Sequence, residues 1–174
     1  MLLIALIVLG CSHIPTRSPP YVLCEPNLIV LGYGIGYCGA EIDPRDLQLY
    51  LEAFEEAWRQ DPDVPHDAEV MRLALQNLDI YFQEGVFSRP GISGSNHLLG
   101  LTYPFVSGRA LVFVIQPVGG DLSTTALAHE LIHVAYGALE KNPHGEHFGE
   151  RYEWPEKVLR IVRHTNLLYE ERKR

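Results

Sequence analysis

Residues 122–139 read LSTTALAHELIHVAYGAL, and the rest of the chain is organised around this stretch. It has no proline, its first glycine is Gly137, and it is rich in Ala and Leu, so it is expected to be helical. Ala126, Leu127, Leu131, Ile132, Val134 and Ala135 would spread apolar surface almost all round such a helix, which marks it as buried. Within it, His129, Glu130 and His133 form an HExxH pattern. On a helix, positions i and i+4 share a face. Both imidazoles can therefore reach one Zn²⁺ at about 2.0–2.1 Å. Glu130 falls beside the remaining coordination position, where it can take a proton from a zinc-activated water. Two imidazoles and a carboxylate inside a buried helix are costly unless paired or metal-bound. The pattern therefore predicts a zinc site with Glu130 as the general base of a hydrolysis, typically of a peptide bond. A purely structural zinc site usually closes with cysteines, and Cys11, Cys24 and Cys38 are remote from this segment.

Working outward, Gly119-Gly120 followed by Asp121-Leu122-Ser123 predicts the helix start, and Gly137 predicts a left-handed cap at its end. Upstream, residues 99–105 and 109–116 read as two strands joined by a turn at Ser107-Gly108. Residues 78–83 read as a further strand, and 84–98, rich in Gly, Ser and Pro, as a loop beside it. Asp43-Pro44 opens a helix to about Gln60, with Leu47, Leu51, Phe54 and Trp58 at helical spacing. A second helical piece covers about 67–76, and residues 28–40 form a short strand and turns. The Gly-x-Gly there lacks phosphate-binding company and is not read as a nucleotide site. The last helices fall near 145–172. The expected fold class is α+β: one domain, with a small mixed sheet packed on the HExxH helix.

Downstream of the helix comes Pro143-His144-Gly145-Glu146-His147-Phe148. HELIH followed by PHGxxF resembles the SprT-like zinc metallopeptidases, over residues 109–148 or so. The resemblance implies a zincin-like fold, with His129, His133 and His144 as zinc ligands and Glu130 as catalytic base. From the residues alone, His147 and Glu153 are rivals to His144. The metzincin pattern is excluded, because Tyr136 and Leu139 stand where it needs Gly and His. Familiar SprT-like members are intracellular, and the best known cut protein crosslinked to DNA. This chain has a net charge of −8, which argues against a nucleic-acid partner. Tyr103, Tyr136 and Tyr152 are each candidates for stabilising an oxyanion, with nothing to choose between them.

The first nine residues, MLLIALIVL, are too short to span a bilayer and have the length of a signal-peptide core. They run into Gly10-Cys11-Ser12, which resembles the lipobox of bacterial lipoproteins. That resemblance implies cleavage before Cys11 and a lipid on its thiol; a buried N-terminal strand is the alternative. Residues 13–20, HIPTRSPP, suit a tether. If Cys11 carries lipid, Cys24 and Cys38 remain as a pair able to bridge in an oxidising compartment, closing a loop worth up to about 3 kcal/mol. Two separate buried thiols are the alternative. The expected organisation is a signal peptide over 1–10, lipidated Cys11 and tether over 11–26, and a metallopeptidase-like domain over 27–174. At 174 residues, 47% hydrophobic and 21% charged, the chain can bury a core of its own.

The expectation is thus a monomeric zinc metallopeptidase anchored by lipid in the bacterial envelope, at the outer membrane if the cell is Gram-negative, acting on peptide or protein. The competing expectation is an envelope lipoprotein that keeps the zinc fold as a non-catalytic binding or scaffold module.

Overall fold

A computed structural model describes residues 27–29, 33–39, 41–64, 67–83, 87–88, 97–98, 100–106, 109–139 and 156–174. Their elements run in the order β1 (Asn27–Ile29), β2 (Ile35–Cys38), α1 (Pro44–Gln60), α2 (Ala68–Gln76), β3 (Leu78–Gln83), β4 (Phe87–Ser88), β5 (His97–Leu98), β6 (Gly100–Val106), β7 (Arg109–Ile115), α3 (Leu127–Leu139) and α4 (Glu156–Lys173). The fold is mixed α+β. Five strands form one sheet in the order β1-β2-β3-β7-β6. The central three are parallel, and β1 and β6 flank them antiparallel. The segment expected to be a plain loop over 84–98 contains a short antiparallel ladder, Phe87 opposite Leu98 and Ser88 opposite His97.

Helices α1 and α2 each start at a capping aspartate. The Asp43 carboxylate accepts from the Arg45 N–H at 2.8 Å, and Pro44 occupies the first helical position, whose N–H needs no partner. The Asp67 carboxylate likewise accepts from Val70 N–H at 3.0 Å. The apolar stripe of α1 buries Leu47, Leu51, Phe54 and Trp58, the spacing that announced the helix.

One face of the sheet carries the core. Leu78, Ile80 and Phe82 of β3 stand opposite Ala110, Val112 and Val114 of β7, and all six are buried. The register Phe82↔Val114↔Gly100 and Ile80↔Val112↔Thr102 carries that face onto β6, so Gly100 and Thr102 lie on the side where the core is built. On the reverse face, Tyr81 stacks on Phe113 with ring centroids 4.7 Å apart, and Arg109 grips Asp79 through two hydrogen bonds of 2.7 and 2.9 Å. Helix α3 packs on β6 and β7 and also meets α2 and α4. Across the helical layer, the Tyr50 hydroxyl donates to Asn166 Oδ1 (2.9 Å), and the Asn166 amide donates to the Ser123 carbonyl (2.9 Å). This ties α1 and α4 to the turn that leads into α3. Among the described residues, no helix is long and apolar enough to cross a membrane.

Candidate active site

The approach to α3 is built in two steps. Gly119 and Gly120 have φ of 65° and 77°, a left-handed pair that turns the chain out of β7. Asp121 then caps a single 3-10 turn over Leu122–Thr124 rather than the α-helix expected there. Its carboxylate accepts from the Ser123 N–H and hydroxyl at 3.1 and 2.8 Å. Thr125 is extended, and its hydroxyl donates to the Leu122 carbonyl while accepting from Leu127 N–H. That break moves the α-helical start to Leu127 and puts His129 and Glu130 in its first turn. The other end also differs from expectation. Gly137 does not stop the helix, which runs on to Leu139. A glycine permits a left-handed cap but does not impose one.

On this helix His129 and Glu130 are buried, at 6% and 4% exposure, while His133 is half-buried. The two imidazoles meet edge to face, with ring centroids 4.9 Å apart, as i and i+4 positions should. Glu130 points to the edge strand. Thr102 donates to its Oε2 at 2.6 Å, and the same hydroxyl lies 3.2 Å from the Glu130 carbonyl. Gly100 lies under the carboxyl group: a Cβ there would come within 2.5 Å of Oε1 and 2.7 Å of Cδ. Only a residue without a side chain lets the strand pass so close. Burial pushes the Glu130 carboxyl up to about 8, against the hydrogen bond from Thr102, which lowers it. A cation beside it would pull it back towards the ionised form.

The donor chemistry suits zinc, with two imidazoles on adjacent turns and a carboxylate next to one of them. Among the described residues, no group of three His, Cys, Asp or Glu side chains is gathered closely enough to hold a metal ion. A zinc site on this pair needs its remaining protein donor from outside them, and His144, His147 and Glu153 all lie there. So do Cys11 and Cys24, while Cys38 at the end of β2 is disulfide-bonded.

Of the tyrosines considered as oxyanion donors, Tyr136 is part of the core. Its ring packs edge-on against Trp58 at 5.2 Å, and the Lys157 ammonium sits 5.3 Å from its centroid. Tyr152 lies outside the described residues. The residues that sequence reasoning missed are Gly100 and Thr102. Their only signal was a Gly-x-Thr alternation inside an expected strand, which has no chemistry of its own until α3 is laid across it.

Comparison with family models, with curated proteins and with solved structures finds no match to this chain.

Proposed function

We propose that this chain is a zinc-dependent metallopeptidase with a zincin-like domain of the SprT-like kind, held at the bacterial cell envelope by a lipid on Cys11. One observation carries the reading. A buried helix sets His129 against the half-buried His133 and seats the buried Glu130 carboxyl against β6, the side-chain set and spacing that a zinc-hydrolysis site requires. The mixed sheet with this helix laid on β6 and β7 supports a zincin-like fold.

His129, His133 and, in this proposal, His144 would hold the zinc. The reach is adequate. From His133 to Leu139 the helix rises about 9 Å, and the five residues from Leu139 to His144 span at most about 18 Å. Bound zinc supplies Lewis acidity to a water and to the substrate carbonyl. Glu130 then accepts a proton from the attacking water at its carboxylate. It returns that proton to the amine nitrogen as the C–N bond breaks, so acid and base roles fall to one group. Burial of Glu130 keeps bulk water from competing for that proton.

The test is Glu130→Gln in the mature protein, assayed for zinc content and for hydrolysis of casein or a mixed peptide library. Zinc should stay at one per chain while turnover falls by about 10²–10⁴-fold. Zinc binding with no hydrolysis by the wild type would favour the non-catalytic module instead. Turnover of the variant within a few-fold of wild type would refute the role of Glu130.

A further inference from the structure

We propose that Thr102 is a positioning residue for Glu130, and that Gly100 and Thr102 together form the seat that aims its carboxyl group. The inference rests on the peptidase reading above and extends it to two residues that no motif contains. Thr102 has one hydroxyl proton and two oxygens of the same residue within reach. Oε2 at 2.6 Å is much closer than the backbone carbonyl at 3.2 Å, so the proton goes to the side chain. A separation of 2.6 Å is a short, well-formed O–H···O hydrogen bond. Gly100, two residues earlier on the same face of β6, bounds the other oxygen, leaving no room for even a methyl group. The carboxyl group is thereby fixed from both sides: a hydrogen bond sets its rotation, and a bare backbone sets its depth. A base that must receive a proton from one position and deliver it to another gains from a fixed plane, and small misplacements of reacting groups can cost about 10²-fold. Because β6 is the outermost strand of the sheet among the described residues, the seat also couples the base to that strand.

The test compares Thr102→Val, Thr102→Ser and wild type, each zinc-loaded, on casein. A second readout, independent of turnover, is the ¹³C carboxyl resonance of Glu130 in protein labelled at glutamate, assigned by its loss in Glu130→Gln. Thr102→Val should move that resonance and lower kcat by about 10-fold or more, with zinc affinity and KM within about twofold of wild type. Thr102→Ser should restore both. Thr102→Ala serves in the same comparison if the valine variant does not fold. Unchanged kcat in the variants lacking the hydroxyl, no rescue by serine, or a parallel fall in zinc affinity would overturn the positioning role while leaving the peptidase reading in place. A wild type that binds zinc but hydrolyses nothing would overturn both, and the resonance would then report a purely structural hydrogen bond.

Discussion

Glu130 is a carboxyl group removed from water and touched by one hydroxyl, and its energetics follow from that. Burial disfavours the charged form, so the folded protein holds the proton to about pH 8, whereas an exposed glutamate releases it near 4.5. A raised folded pKa contributes stability that is complete below the unfolded value and is lost as pH rises through the folded one. The metal-free protein should therefore lose stability between pH 5 and pH 8, and Glu130→Gln should lose less over the same range. Urea midpoints at both pH values check this; equal slopes in the two proteins would contradict it. Added zinc should flatten or reverse the wild-type trend, because a nearby cation favours the carboxylate. HExxH was legible as chemistry because a helix converts its spacing into a shared face. The seat at Gly100 and Thr102 was not, because it depends on which strand ends up beside that helix.

At the scale of elements, the segment before α3 carries the precision. Thr125 uses its single hydroxyl twice, donating to Leu122 O and accepting from Leu127 N–H. Thr125→Val keeps the shape and removes both bonds, so it should cost about 1 kcal/mol in chemical denaturation, as other lost caps do. It should also loosen the turn that bears His129 and Glu130. Most elements could be read from local chemistry: Asp43-Pro44 announced α1, and the apolar run in 78–83 read as β3. The errors lie at helix ends. Asp121 capped a 3-10 turn and Thr125 imposed a second start, while Gly137 was absorbed into the helix. Capping residues mark where a helix can begin; here the turn before it is also tied down, by Asn166 donating to the Ser123 carbonyl and Tyr50 donating to Asn166. The pairing of β4 with β5 within the Gly/Ser-rich stretch carried no periodic signal.

At the scale of the molecule, α3 is both part of the core of the fold and the element on which the proposed chemistry rests. Leu131 is fully buried in the central cluster, one residue from Glu130. Leu131→Ala should therefore destabilise the protein by about 2–5 kcal/mol, read from denaturant unfolding, and weaken zinc retention with it. The α+β class was legible because helices and strands fall in separate runs along the chain. The strand order was not, since the placement of β7 between β3 and β6 is a long-range outcome. The account as a whole depends on a metal. Its most direct test is metal analysis of the purified mature protein, with affinity measured by chelator competition on wild type, His129→Ala and His144→Ala. The account predicts one zinc per wild-type chain and a loss of affinity by orders of magnitude in both variants. A wild type without stoichiometric zinc, or a His129→Ala variant that binds zinc as tightly as wild type, would contradict it.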